Sequence, residues 1–235
     1  MNTSVARIGF AIIALAVAVF TFGSRISGSA LAAAPSAVPA AVVDNKLAAA
    51  PGQETAVFAG GCFWGIQAVY QHVKGVKSAV SGYAGGDVVS PSYEQVSSGT
   101  TGHAEVVRVV FDPSKVSYGQ LLRVFFAVAH DPTQLNRQGP DVGTQYRSEI
   151  FYTNEAQKKI ATAYIDQLSK AKIFSRPIVT RVSSLGPFTT AEAYHQNYAN
   201  EHPNDPYIRF NDAPKVAALK SDLKEMYKEE LSAWK

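Results

Sequence analysis

Cys62 is the only cysteine among 235 residues, and it lies in Gly60-Gly61-Cys62-Phe63-Trp64-Gly65. A lone thiol forms no internal disulfide. It pairs with another molecule, reacts as a free thiol, or sits inert as a small hydrophobe. The flanking residues weigh toward reaction. Two glycines let the backbone turn sharply and keep the approach open. A cysteine in the first turn of a following helix meets unpaired N–H groups and the positive dipole end, which lower its pKa and raise the nucleophilic thiolate fraction. Phe63 and Trp64 offer aromatic faces that suit a methyl or thioether group, unless both rings are ordinary core residues.

Glu105 shares a strand face with Val107, Val109 and Phe111. A carboxyl at the mouth of an apolar face is partly desolvated, and its pKa rises from the usual value of about 4.3. It then becomes a proton donor at neutral pH; at a strand end in solvent it would not. Tyr83, Tyr93 and Tyr146 lie in or beside Gly-rich loops, where hydroxyls can donate to a substrate oxygen, although 11 tyrosines make structural roles common. Asp141 sits in the turn-prone Gly139-Pro140-Asp141-Val142-Gly143. Histidines 72, 103, 130, 195 and 202 give no compact metal-ligand spacing. A Walker loop and a GxGxxG motif are both absent. The expectation is no metal and no bound cofactor.

The elements that must position these groups follow from periodicity. Residues 55–59 read as a buried strand ended by two glycines, and 62–73 as a helix with Ile66, Val69, Tyr70 and Val73 at three- and four-residue steps. Strands are expected at 76–83, 105–111, 149–152 and 178–182. Helices are expected at 117–129, opened by a Ser117–Gln120 capping box, at 154–171, and over the tail 212–234. Residues 84–103 and 130–146 read as long loops, a length often tied to function. The order β-α-β-β-α-β predicts an α+β fold: a two-layer sandwich with a split β-α-β (ferredoxin-like) core plus a C-terminal helical extension.

Residues 1–32 carry Arg7 and Arg25, no acid, an apolar run over 8–22, and the small-x-small Ala30-Leu31-Ala32. They read as a cleaved signal peptide, since the run is short for a ~30 Å bilayer core; a retained membrane anchor over 8–22 is the alternative. Export to a bacterial periplasm is the expected location. Residues 33–52, rich in Ala and Pro, read as a linker, leaving 53–235 as one catalytic domain. The net charge is +3, and without the first 32 residues 20 basic residues face 19 acidic ones. Nucleic acid is an unsuited partner for that balance. The apolar fraction of 46% provides a full core.

Several motifs together resemble the peptide methionine sulfoxide reductases of type A. They are Gly61-Cys62-Phe63-Trp64-Gly65, Gly82-Tyr83-Ala84-Gly85-Gly86, Pro91-Ser92-Tyr93, Gly102-His103-Ala104-Glu105, His130-Asp131-Pro132-Thr133-Gln134, and the run from Arg137 to Ser148. The resemblance covers roughly residues 55–210. It implies that Cys62 attacks the sulfur of a methionine-(S)-sulfoxide, free or in oxidised proteins and peptides. It implies a methyl pocket of Phe63 and Trp64, a proton or hydrogen bond to the sulfoxide oxygen from Glu105 with Tyr93 and Tyr146, and a hold on the substrate backbone by Asp141. His195 also matches a family position, without an assigned role. Oxygen transfer leaves a Cys62 sulfenic acid. Many members resolve it with further cysteines; here Ser97 stands at one such position and the tail has none. An external thiol, a thioredoxin-like protein or a small thiol, must then attack Cys62. A monomer is expected. Two rival readings remain on the residues alone: a cysteine hydrolase using His103 or His195, and a module that binds oxidised methionine without turnover.

Overall fold

The computed structural model describes residues 38–234; the proposed signal peptide lies outside them. β1 (Glu54–Gly60) is buried from Ala56 onward. It runs into α1 (Phe63–Gln71), in which every residue but Trp64 is buried. A helix apolar on nearly all sides belongs between layers. Its two buried amides are satisfied: Gln67 donates to the Ala79 carbonyl and to Gln196 Oε1, both at 2.9 Å, and Gln71 donates to the Ser232 carbonyl at 3.3 Å.

β2 (Val76–Ala84), α2 (Tyr93–Ser97) and β3 (Ala104–Phe111) follow. α3 (Tyr118–Val124) opens on the expected Ser117–Gln120 capping box and continues as one π-helical turn, Phe125–Ala129. The short strands β4 (Arg137–Gln138) and β5 (Asp141–Val142) pair with each other. Then come β6 (Ser148–Tyr152), α4 (Glu155–Lys170), β7 (Arg181–Ser184), β8 (Phe188–Thr190), α5 (Tyr198–Glu201) and α6 (Ala213–Asp222).

The main sheet has the order β7-β6-β1-β3-β2-β8. Its inner four strands, β6-β1-β3-β2, are antiparallel to one another, while the outer β7 runs parallel to β6. β1 and β2, joined through α1, flank β3, which is the split β-α-β arrangement expected. Alternation along β3 sends Val107, Val109 and Phe111 into the main core and Ala104 and Val106 into a smaller cluster on the opposite face. α1, α3, α4 and α6 all contribute to the main core, so the helices lie on one side of the sheet. Glu105 has the parity of the helix side.

Four expectations are corrected. The strand placed at 178–182 starts later, because the Val179 N–H is taken by the Pro132 carbonyl at 2.8 Å. The loop 84–103 contains α2, closed by a Ser92–Gln95 capping box. The helical tail stops at α6; residues 223–234 run back along α1 and β2, with Lys228 N–H on the His72 carbonyl and Ala79 N–H on the Ala233 carbonyl. The described part of the linker, residues 38–52, is docked. Val38 is buried, Tyr164 donates to the Pro39 carbonyl, and Asp44 accepts from Ser117 Oγ and the Gly119 N–H.

Candidate active site

The turn between β1 and α1 is held from outside. Gly61 has φ +92°, and a Cβ there would lie 2.5 Å from Gln138. Gln138 is locked in place by donating to the Asp131 carbonyl and accepting its N–H. Cys62 thereby becomes the N-cap of α1, 8% exposed.

Its ionisation differs from the sequence expectation. Burial pushes the thiol well above its ordinary pKa, and the negative charges of Glu105 and Asp212 push it further; the Trp64 N–H and Lys215 act the other way. The helix start favours the thiolate, but desolvation outweighs it. Burial and the neighbouring carboxyls thus favour the thiol over the thiolate.

Glu105 matches its expectation. It is 3% exposed, and burial raises its carboxyl to about 8, against the pull of the Phe63 N–H. That N–H donates to Oε2 at 3.0 Å. Glu105 is mostly protonated at neutral pH and stands beside the residue that follows the thiol.

Tyr93 opens α2, and Tyr146 ends a 3-10 turn, Thr144–Tyr146. Burial raises both phenols, with Glu105 and Cys62 adding to each. Both therefore stay protonated as hydrogen-bond donors within the field of the same two groups. The Tyr93 backbone N–H donates to Glu192 Oε1 at 2.9 Å, and Tyr83, a buried residue, donates to Oε2 at 2.9 Å. Beside Tyr146, Arg147 donates to the Thr144 carbonyl at 3.0 Å and forms a buried ion pair with Glu149, fixing the turn. Asp141 is half-buried, and one carboxylate oxygen accepts from the Tyr207 hydroxyl.

The two expected pocket rings differ in access. Phe63 is 1% exposed, packed against His195 at 5.0 Å and Tyr83 at 5.9 Å between ring centroids. Trp64 is half-buried, stacked on Tyr198 at 3.9 Å, with Tyr207 edge-on at 6.0 Å. Its indole N–H donates to His195 Nδ1 at 3.2 Å. His195 therefore accepts at Nδ1, and burial lowers its pKa. Among the described residues no hydrogen bond joins an imidazole to Cys62, so the oriented base a cysteine hydrolase requires is not displayed.

Reasoning from sequence missed Tyr207, Glu192, Asp212 and Lys215. Asp212 is 0% exposed and pairs with Lys215 Nζ at 3.0 Å. Its position ahead of Ala213-Pro214 reads as a plain helix cap, a signal that hides its inward turn.

A buried thiol at a helix start thus lies near a carboxyl raised by burial and an aromatic wall, a setting suited to thiol chemistry. The family model described as "Peptide methionine sulfoxide reductase" matches residues 54–227, and the chain belongs to that family. It is 60% identical over 187 residues to peptide methionine sulfoxide reductase MsrA 2 of Mesorhizobium japonicum, covering 80% of this chain and 95% of the relative. It is 51% identical to MsrA of Deinococcus radiodurans, covering 75% and 86%. The crystal structure of reduced Mxr1 from Saccharomyces cerevisiae superposes with a TM-score of 0.58 at 34% identity, covering 68% of this chain and 90% of that one. The chain is thus an oxidoreductase of type A that reduces methionine sulfoxide in protein repair.

Proposed function

We propose that Cys62 is the nucleophile and Glu105 the acid, acting on the S epimer of methionine sulfoxide. The observation that carries this is the neutral carboxyl of Glu105 tethered by the Phe63 N–H next to the thiol. Sulfoxide sulfur is a weak electrophile until its oxygen receives a proton or strong hydrogen bonds. Glu105 supplies the proton; the Tyr93 and Tyr146 hydroxyls hold the oxygen. Trp64 presents its face to the methyl group, with Phe63 as the buried backing. Asp141, steadied by Tyr207, orients the substrate backbone. The substrate's sulfur–oxygen bond breaks as the oxygen passes to Cys62; methionine leaves, and Cys62 is left as a sulfenic acid.

With one cysteine, the return to thiol requires an external thiol, and a thioredoxin-like protein or a small thiol fits that need. Residues 1–32 support export, and fractionation of cells expressing the full chain tests that. The test of the assignment is Cys62→Ser against peptides carrying separated S and R sulfoxides. Complete loss of S-sulfoxide reduction is expected; retained turnover sinks the reading.

A further inference from the structure

A thiol held protonated by burial needs somewhere to send its proton, and Glu105 is already protonated. We propose that Asp212 is that acceptor: the carboxylate that takes the Cys62 proton as the sulfur attacks. The inference rests on the reading of Cys62 as nucleophile.

The geometry is unusual for a helix start. Asp212 occupies the N-cap position of α6 but makes no capping hydrogen bond. Its side chain turns inward against the first turn of α1: a Cβ at Gly65 would lie 2.1 Å from Oδ1 and 2.9 Å from Lys215 Nζ. Glycine at that position is what lets the carboxylate approach. Gly65 is the third residue of α1, and an N-cap side chain lies over the N–H groups of the second and third residues. The Cys62 sulfur and the Asp212 carboxylate therefore share the same end of α1. Oδ1 accepts from Lys215, while Oδ2 is buried with no hydrogen-bond partner. A buried acceptor left unpaired is costly. A thiol proton, or the hydroxyl of the sulfenic acid, would satisfy it.

The surrounding charges sort the two carboxyls. Cys62 is faced by Glu105 from β3, by Asp212 from the π-helical turn Ile208–Asp212 that leads into α6, and by Lys215 from α6. Asp212 is faced by Lys215 and by Asp141 of β5, and Tyr207 lies within the field of Cys62, Asp212 and Asp141. Tyr93 and Tyr146 also lie within the field of Cys62. Burial raises both Glu105 and Asp212, but only Asp212 has a bonded cation to keep it ionised. Environments that divide two carboxyls in this way assign one as acid and the other as base.

The step balances. As the Cys62 sulfur bonds to the sulfoxide sulfur, its proton passes to Asp212, and the Glu105 proton passes to the sulfoxide oxygen. Within the adduct the hydroxyl oxygen bonds to the Cys62 sulfur as its bond to the substrate sulfur breaks. The sulfur–sulfur bond breaks with its electron pair left on the substrate sulfur, so Cys62 keeps the hydroxyl as a sulfenic acid and the substrate leaves as a thioether. The thiol is oxidised by two electrons and the sulfoxide reduced by two. Protons return from Asp212 to Glu105 through solvent.

The test is Asp212→Asn, measured by single-turnover reduction and by alkylation of resting Cys62 with iodoacetamide. Removing a negative charge beside the thiol speeds alkylation, while losing the base slows reduction by about 100-fold or more at neutral pH. The acid limb of the wild-type pH profile is replaced by a tenfold rise per pH unit up to the alkaline limb. Reduction within threefold of wild type, or a loss equal at every pH, overturns the proposal. Lys215→Gln decides the matter if the Asn variant does not fold: its acid limb moves to higher pH, and an unmoved limb also overturns it. Retained turnover in Cys62→Ser defeats the nucleophile reading itself, a separate result.

Discussion

The backbone N–H of Phe63 donates to Oε2 of Glu105 at 3.0 Å, tying the first turn of α1 to the edge of β3. The bond aligns the acid with the nucleophile through the residue next to Cys62. It also leaves the rest of the carboxyl free to hold a proton. Glu105→Gln keeps the shape and a hydrogen-bond donor but has no proton to give. Its single-turnover rate at pH 7 is expected to fall by about 10²–10⁴-fold, with substrate affinity little changed.

The same carboxyl sets the alkaline limit. With its pKa raised to about 8, Glu105 loses its proton above that pH, and kcat/KM falls through pH 8. A pH profile of wild type against Glu105→Gln checks this; the limb is absent in the variant.

Stability follows with a defined sign. The folded pKa lies above the unfolded value, so the native state binds more protons across the interval between them. Stability is fully present below about pH 4.5 and declines as pH rises to about 8, by up to about 1.4 kcal/mol per pH unit. Thermal melts of Glu105→Gln are expected to show a gain over wild type that grows across this window and levels off above it.

The aromatic neighbours divide their effects by burial. Phe63→Ala empties a core position and is expected to lose about 3–5 kcal/mol of stability. Trp64→Ala removes the half-open ring stacked on Tyr198 and the donor to His195. Its expected effect is a rise in KM of about 10–100-fold with a smaller change in melting temperature. Denaturant titration and steady-state kinetics on the two variants separate the roles.

Much of this arrangement was legible in the chain. Alternation placed Glu105 on the core side of β3, and the glycines before Cys62 marked the strand-to-helix turn. What was not legible came from packing between distant segments. The thiol's raised pKa depends on burial and on Asp212, neither visible beside Cys62 in sequence. Asp212 itself sits where helix caps sit, so local pattern concealed it. β8 is three residues long, too short for a periodic signal. The apolar spacing of Leu223, Met226 and Tyr227 looks helical, yet those residues form a hydrogen-bonded turn that ends α6 and leads into the tail. The Ala/Pro-rich approach to the domain read as a spacer because its bonds to α3 and α4 come from backbone groups and Asp44.

That docked strap carries its own prediction. Asp44 accepts from the Gly119 N–H at 2.9 Å and from Ser117, acting as an added cap on α3. Asp44→Ala is expected to cost about 1 kcal/mol in chemical denaturation, with turnover unchanged.

The most direct test of the central claim is one turnover without reductant, using separated S and R epimers of a methionine sulfoxide peptide. The account predicts one equivalent of methionine per enzyme from the S epimer, none from the R epimer, and a single sulfenic acid adduct trapped at Cys62. Methionine formed while Cys62 remains an unmodified thiol would contradict it.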